Sequence, residues 1–585
     1  MSAVFYLLSV VYLWVAVFII KKSDTKVSAA VWFFCSIFFV ICNQVFFAGI
    51  LNQFHIGISI ISIGIINFLV AAIFTFFITR IGIQKYYIKP LEIIELLIIT
   101  GVILRFALIR FGHDLHINFV LVDASSHYGM SKDVALNHTL DNNMYFAAVT
   151  SGLMMEVYKI LSHGDIFHMY RMFILCEIVY TALTAFLFWI LLHERFKNNV
   201  FKAIAAVIIT VIYWIGYPAY STIFGYSYFV MGINIITILI FVVNAYLSDK
   251  YNKKIMIIFM NLLLHGIFVC YTLFVPTTFF GIFAAIAIYM IMRDGKKFIN
   301  VKNIVEMLYV FLIPTILGLI QSFSNVQYLS GSGDGISHDG GCYSDFYSNF
   351  IPLIPFAIIG IYIIFKEKKK ESLIPVTVVQ FLFMLLLFFR AMKGTVSAYY
   401  YMKNNSLVWT ILWVLTAEAI FYMIEQCKGA VIFPVIFIGF IIMGLRGDNY
   451  IMARNDRFIE VSSKNTFNII YFNDGFMHEY PLLDSDTIDL YEYVYKNCQD
   501  KNVISVNSES GNGWFNNMNS NGMGFCYGDY TTFESMVDES VGYICICYTE
   551  PYFNNREYFD LFNDIVYENQ SGRIVRINPD LFKEN

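Results

Sequence analysis

Long apolar runs recur through most of this 585-residue chain, and they constrain its fold more than any other feature. A helix of roughly 20 apolar residues matches the ~30 Å hydrocarbon core of a bilayer. Such runs lie near 2–20, 29–50, 57–79, 91–111, 166–192, 203–217, 227–247, 255–274, 276–292, 304–322, 350–365, 373–389, 405–425 and 429–445. With 58% hydrophobic and only 14% charged residues, the composition supports the same interpretation. We therefore expect an all-α polytopic membrane protein of about fourteen transmembrane helices.

Lysine and arginine are distributed unevenly among the loops between these runs. Every second loop is basic, and the basic loops are KKSDTK, RIGIQKYYIK, HERFKNN, DKYNKK, RDGKKFINVKN, KEKKK and EQCKG. Because positively charged loops stay in the cytoplasm, the other loops and everything after Arg446 are predicted to lie outside the plasma membrane. The net charge of −4 and the lack of a nucleic-acid-type basic cluster argue against a nucleic-acid partner.

After Arg446 the sequence becomes polar and stays so to its end. Candidate strands FNIIYF, NVISV, YICICY and RIVRI alternate there with candidate helices TIDLYEYVYKN and NREYFDLFNDIV. This alternation predicts a small α/β or α+β domain, extracytoplasmic by the loop rule, over residues 446–585. Whether its four cysteines form disulfides stays open; they are Cys498, Cys526, Cys545 and Cys547.

The stretch FGHDLHINFVLVDASSHYGMSKD, residues 111–133, concentrates three Asp and three His directly after an apolar run. Asp123 follows a short apolar segment, and His127 comes four residues later, on the same face if the stretch is helical. An Asp with a nearby His suits general-base chemistry or the binding of a divalent cation. For each residue taken singly, an ordinary solvated loop remains the alternative.

Basic and aromatic residues gather near the predicted outer boundary of the membrane. Arg105 lies inside an apolar run, where an unpaired charge is costly, and Arg110 lies about a turn further on. Candidate ligands for an anionic substrate group are Arg105, Arg110, Arg390, Lys393, Tyr400 and Lys403. For Lys403, in SAYYYMKNN, an aromatic belt with a snorkelling lysine is the alternative.

Three further features bear on function. In loop 112–165, Leu153 and Val157 belong to an apolar face with helical spacing, with Glu156 off that face, which predicts an interfacial amphipathic helix. The Gly-rich segment 331–349 is interpreted as a flexible loop or a lid.

Glu418 lies within an apolar run. A charge in that position indicates either an interior partner or a role in proton-coupled transport.

The stretch VDASSHYGMSKDVALN, an acid followed by a histidine and then a helix in a long outer loop, resembles the GT-C superfamily of membrane glycosyltransferases. The resemblance covers about 91–425, so 1–90 would be an N-terminal extension and 91–445 the core. Two departures stand out. No DxD pair is present, the nearest acids being Asp114, Asp123 and Asp133, and the core begins at the fourth helix rather than the first.

The resemblance implies a polyprenyl-phosphate-linked sugar as donor, a cell-envelope glycan or lipid as acceptor, and inversion at the anomeric carbon. Asp123 would be the general base and His127 its helper, with Asp114 as a further helper. Arg105, Arg110 and Lys403 would bind the phosphate. A divalent cation, magnesium or manganese, stays open, with Asp114, Asp123 and His127 as its candidate ligands.

Other functions of lipid-linked saccharides compete with this interpretation. A transporter or flippase would concentrate charge near the bilayer midplane and show repeated halves, whereas here the charge lies at the outer rim. A polymerase or ligase would use the same donors. The position of the long loop before the fifth helix, rather than late in the chain, favours the transferase. A scaffold presenting the C-terminal domain explains neither the number of helices nor Arg105. The expected location is the plasma membrane of a bacterium.

Overall fold

The computed structural model describes most of the chain, and the described residues are 1–140, 146–195, 199–324, 343–344, 350–367, 371–426, 449–454, 457–462, 469, 473 and 483–578. The expected span at 429–445 and most of segment 331–349 lie outside them. The described part is mostly helical, and a small strand-containing region follows the membrane part.

Helices build the membrane part, and their ends follow local sequence signals. The helix that begins after Ser59 is capped by the Ser59 hydroxyl and ends at Gly82, whose φ is +91°. Pro90 opens the following helix. The helices are α1 (Ser2–Ile19), α2 (Ala29–Gln53), α3 (Ile60–Ile81), α4 (Pro90–Phe111), α5 (Asp123–Asn137), α6 (Ala147–Leu161), α7 (Met169–His193), α8 (Val200–Ile215), α9 (Tyr217–Ile223), α10 (Ser227–Leu247), α11 (Lys253–Cys270), α12 (Val275–Asp294), α13 (Val301–Ser324), α14 (Ile354–Lys366), α15 (Leu373–Met392), α16 (Ala398–Lys403) and α17 (Asn405–Gln426).

Within the described residues, eleven helices are long and apolar enough to cross a membrane, so the chain is a multi-pass membrane protein. The expected spans at 91–111 and 350–365 are helical too, but α4 carries four charged side chains and α14 has only 13 residues. One expected boundary is wrong. The segment 218–226 is largely helix rather than loop, because Pro218 stands in the first turn of α9, where a proline is tolerated.

Basic loops lie together at one end of the helix bundle, which we call the basic end. Strand β1 (Val27–Ser28) pairs in parallel with β2 (Tyr86–Tyr87), which joins the first and third loops. The Asn252 N–H donates to the Lys22 carbonyl at 2.6 Å, which connects the loop before α11 to the first loop. The strict alternation of basic and non-basic loops predicts this clustering. Asp123 lies at the other end of α4.

Helices α5 and α6 fill the segment between α4 and α7 and pack on each other. The apolar face of α6 is buried, as its periodicity predicts. Glu156, which its spacing places off that face, is not exposed. Its carboxylate is buried and accepts the Ile60 N–H at 2.9 Å, at the start of α3, where the helix dipole favours a negative charge. Glu156 therefore ties α6 to the bundle.

The remaining strands form two sheets, and the first of these strands lies between α13 and α14. The smaller one is antiparallel and consists of β3 (Tyr343–Ser344), β4 (Asn449–Arg454) and β5 (Arg457–Ser462). The larger has the order β7-β6-β8-β10-β9 and consists of β6 (Asn502–Val506), β7 (Gly522–Phe525), β8 (Val541–Cys547), β9 (Ile565–Asn569) and β10 (Gly572–Arg576). Strands β7 and β8 run parallel to β6 on either side of it, and β10 is antiparallel to β8 and β9. The accompanying helices are α18 (Ser485–Asn497), α19 (Glu509–Met518), α20 (Tyr530–Glu534), α21 (Glu550–Asn554) and α22 (Arg556–Phe559).

Several expectations for this domain can be compared with its structure. NVISV, YICICY and RIVRI form strands and TIDLYEYVYKN forms a helix, as expected. The helix expected over NREYFDLFNDIV is wrong in its second half, because Ile565 begins β9, which pairs with β10 through a tight turn. FNIIYF lies outside the described residues except for Ile469. Cys498, Cys526, Cys545 and Cys547 are free thiols.

Candidate functional site

Asp123 is the first residue of α5, and His127 follows one turn later on the same face. A carboxylate at a helix N-terminus is stabilised by the helix dipole. Burial raises the pKa of the Asp123 carboxyl above its usual value, and the positive charge of Lys403 acts in the opposite direction. A carboxyl group whose pKa is raised is a stronger base than an exposed aspartate.

His127 is held in one orientation by the loop that follows α9. Its Nδ1 lies 2.9 Å from the Gly225 carbonyl oxygen, and the Tyr228 ring meets the imidazole edge-on at a centroid distance of 4.7 Å. Burial lowers the pKa of His127 to about 4, so the ring is neutral at physiological pH. Nδ1 therefore carries the proton and donates to Gly225, which makes Nε2 the acceptor nitrogen of the ring.

Gly225 allows this loop to approach α5. Its φ is +79°, in the left-handed region that favours glycine, and a Cβ there would lie 2.5 Å from the Ala124 Cβ. Both conditions exclude an ordinary side chain at this position. The glycine thus sets the contact between the loop and the first turn of α5.

We expect Gly225→Ala to destabilise the protein by about 2–5 kcal/mol, since left-handed strain costs about 1–2 kcal/mol and overpacking about 1–3 kcal/mol. Thermal or denaturant unfolding of the purified protein measures the effect. Gly394→Ala is the matched control, because Gly394 has φ +67°, is followed by the same i+5 backbone hydrogen bond as Gly225, and has open space around it. Equal destabilisation by the two substitutions would show that the contact with Ala124 is unimportant.

Lys403 ends α16 inside a cage of tyrosine rings, with only 6% of its surface exposed. Its ammonium donates to the Tyr228 hydroxyl at 3.1 Å and lies 4.3 Å from the ring centroid of Tyr399. The ring centroids of Tyr228, Tyr226 and Tyr271 are 5.2, 5.7 and 5.8 Å away. A cation within about 6 Å of an aromatic face is attracted by it. We refer to Asp123, His127, Lys403 and these four tyrosines as the Asp123–Lys403 site.

The two arginines of α4 lie on different faces of that helix. Five residues separate them, which is about 140° of rotation around a helix. Arg110 is buried in the last turn, and its carbonyl accepts the Asn118 carboxamide N–H at 2.9 Å. Arg105 is exposed between Leu104 and Leu108, on the apolar outer face of the helix. Helical spacing predicts that the two arginines point in different directions, and the structure shows that Arg110 is the buried one.

The remaining candidate residues are more exposed than those of the Asp123–Lys403 site. Asp114 is exposed and interacts with the charge of Arg171. Arg390 and Lys393, at the end of α15, are exposed as well. Tyr400 is half-buried, and its ring centroid is 5.2 Å from that of Tyr399. Within the described part of the chain, no three His, Cys, Asp or Glu residues are placed to hold a metal ion.

The C-terminal domain packs directly on α5. The Trp514 ring of α19 lies 5.2 Å from that of Tyr128, and the Lys132 ammonium donates to the Asn517 carbonyl at 2.7 Å. A Cβ on Gly129 would lie 2.3 Å from the Asn517 Oδ1, so this glycine allows close contact. The C-terminal domain thus fixes the helix that carries Asp123 and His127. This role could not be predicted from the sequence of the domain.

A cavity of about 770 Å³ lies at the basic end, remote from Asp123. Charged side chains line it and pair with one another. The Arg195 guanidinium is 2.8 Å from both Glu371 and Glu418, and Lys202 pairs with Glu425. Arg195 is thus an interior partner of Glu418.

The Asp123–Lys403 site joins a half-buried carboxyl group and an oriented neutral imidazole, both from α5, to a caged ammonium from α16. The carboxylate can accept a proton, and the ammonium can balance the negative charge of a phosphate. Four of its members, Tyr226, Tyr228, Tyr271 and Tyr399, were not singled out in the sequence, where the aromatic run around Gly225 is the available signal. Comparison with protein-family models and with curated proteins gives no match.

Proposed function

We propose that this protein is a GT-C-like glycosyltransferase that transfers a sugar from a polyprenyl-phosphate donor to a cell-envelope acceptor. One observation carries the proposal: the half-buried Asp123 carboxyl group and the buried Lys403 ammonium interact at the start of α5. Sugar transfer from a lipid phosphate needs a base for the acceptor hydroxyl and a cation for the leaving phosphate. Both groups belong to this site.

In the proposed reaction, Asp123 takes the proton of the acceptor hydroxyl as the oxygen attacks the anomeric carbon. The bond between that carbon and the phosphate oxygen breaks, and its electron pair leaves with the polyprenyl phosphate. The products are a glycoside of inverted configuration, polyprenyl phosphate and a protonated Asp123. Lys403 balances the phosphate charge, and a group that interacts more strongly with the leaving phosphate than with the bound donor lowers the barrier.

Several finer features belong to the proposal. The chain has about fourteen spans in the plasma membrane of a bacterium, and the Asp123–Lys403 site and the C-terminal domain face outward. The Lys/Arg bias of the loops supports this orientation. A site on the outer side of the membrane would be accessible to a donor whose lipid tail stays in the outer leaflet while its sugar reaches α5. A divalent cation bound by Asp123 and His127 is a further element of the proposal.

The proposal is tested with the full chain in lipid nanodiscs. Undecaprenyl-phosphate mannose, glucose and galactose are supplied as donors with a membrane-free extract of cell-envelope glycans as acceptor. We expect one donor to be consumed, with release of undecaprenyl phosphate and formation of a new glycoside detected by mass spectrometry. If the wild-type protein consumes none of them, the transferase proposal is wrong.

A transporter of lipid-linked saccharides is the second candidate, and the cavity at the basic end favours it. Charges buried among membrane helices often mark a transport pathway. In liposomes, a transporter moves a fluorescent lipid-linked saccharide between leaflets without changing it, whereas a transferase releases undecaprenyl phosphate. A polymerase or ligase would form longer glycans from the same donors, so product length distinguishes it.

A further inference from the structure

The topology of the C-terminal sheet creates a ligand-binding edge. Strand β6 is central, and the chain passes first to β7 on one side and then to β8 on the other, all three parallel. In open sheets of this kind, ligands bind outside the carboxyl ends of the strands, where the strand order reverses. Here the segments that begin at Asn507, Cys526 and Tyr548 leave those carboxyl ends.

Three exposed aromatic side chains stand at this edge. Tyr527 and Tyr530 follow β7 and are 71% and 49% exposed, and Phe553 follows β8 and is 57% exposed. The Tyr527 hydroxyl donates to the Glu509 carboxylate at 2.9 Å, which joins the segment after β7 to that after β6. The Asn555 carboxamide donates to the Gly528 carbonyl at 3.4 Å, which joins the segment after β8 to the segment after β7. We call Tyr527, Tyr530 and Phe553 the aromatic edge.

The charge around the aromatic edge limits what it can bind. The neighbouring carboxylates are exposed and belong to Glu509, Asp529, Glu550 and Glu557. The nearby Arg556 pairs with Asp560 at 3.3 Å. These carboxylates repel phosphates and polyanions, because both carry negative charge. Ionised carboxylates accept hydrogen bonds and do not donate them, so they suit a ligand rich in hydroxyl groups. Exposed aromatic rings offer flat apolar faces to the C–H side of a sugar ring. A neutral saccharide has both properties.

The aromatic edge lies at the end of α5 that carries Asp123. A Cβ on Gly513 of α19 would lie 2.5 Å from the Ser125 hydroxyl, and Asn517, one turn later, meets Gly129. The two helices therefore run in the same direction. Glu509 precedes Gly513 by one turn, about 6 Å along the helix, and so extends beyond the start of α5.

We propose that the aromatic edge binds a neutral saccharide chain beside the start of α5. That this chain is the acceptor rests on the proposed function, whereas saccharide binding by the edge does not. The C-terminal domain would then both hold α5 in place and select the acceptor.

Binding is measured on the full chain in nanodiscs by saturation-transfer NMR and calorimetry. The neutral probes are maltohexaose, mannohexaose and chitopentaose, and a heparin hexasaccharide is the polyanionic probe. We expect at least one neutral probe to bind and the heparin probe to bind more weakly. Tyr527→Ala combined with Tyr530→Ala should weaken neutral binding at least tenfold. Both side chains are exposed, so the double variant should remain folded, which thermal unfolding checks.

Ile565→Ala is the matched control, because Ile565 is an exposed apolar residue on β9, at the opposite edge of the sheet. It should bind like the wild type. Failure of every neutral probe, preference for heparin, or undiminished binding by the double variant would each overturn the proposal. If saccharide binds but no lipid-linked donor is ever consumed, the proposed transferase function fails and the saccharide site remains.

Discussion

Asp123→Asn is expected to reduce sugar transfer by about 10²–10⁴-fold, the usual contribution of a general base. The carboxamide keeps the size of the side chain but cannot accept the hydroxyl proton. Donor binding should persist, because Lys403 and its four tyrosines are unchanged. Single-turnover transfer from the donor identified with the wild-type protein measures the effect, and equilibrium binding of undecaprenyl phosphate measures donor affinity separately.

Asp133→Asn is the matched control for this substitution. Asp133 lies on the same helix α5 but is exposed, and its carboxylate accepts an N–H of Asn137. The control should transfer sugar like the wild type. Undiminished transfer by Asp123→Asn would remove Asp123 from the mechanism.

The pH dependence gives an independent measure of the same group. A base acts when deprotonated, so wild-type kcat/KM should rise as pH increases through the pKa of Asp123. Burial raises that pKa, and the acid limb should therefore lie above the range of an exposed aspartate. His127, with a pKa of about 4, is already neutral at the pH of the assay. In Asp123→Asn the acid limb should disappear.

Features governed by one-dimensional patterns could be predicted from the sequence. Apolar runs locate most spanning helices, and loop charge predicts the clustering of the basic loops, because lipid and membrane potential act on every segment alike. Local sequence was insufficient to predict the structure where contacts with distant residues determine it. The polar pattern around Ile565 suits a helix, but pairing with β10 makes it a strand. Glu156 suits a surface, but the N-terminus of α3 provides its partner.

The candidate site could be predicted only in part, for the same reason. Asp123 and His127 are four residues apart, so helical spacing places them together. Lys403 is 280 residues further on than Asp123, and only the packing of α16 against the loop at Gly225 shows that their charges interact. The tyrosines of the cage come from several separate segments, and aromatic residues at a membrane boundary are too common to single them out. The direction of Arg105 likewise depends on which face of α4 meets its neighbours.

Lys403→Met is expected to weaken binding of undecaprenyl phosphate by about 10–100-fold, since a hydrogen bond to a charged group contributes about 1.5–3 kcal/mol. Methionine keeps the length of the side chain within the tyrosine cage but removes the ammonium. The acid limb of kcat/KM should also move to higher pH, because the charge of Lys403 lowers the pKa of Asp123. Lys393→Met removes the same charge from an exposed position and is the matched control.

Stability measurements separate this role from simple packing. Replacing a buried cation by an apolar side chain of similar length is often neutral or stabilising by itself. The variant leaves the half-buried Asp123 carboxylate without the Lys403 charge, so the folded-state pKa of Asp123 rises further above its unfolded value. Stability of Lys403→Met should therefore be greatest at low pH and decline as pH rises through the pKa of Asp123. A variant with wild-type donor affinity and an unmoved acid limb would show that Lys403 serves only to hold the tyrosine rings together.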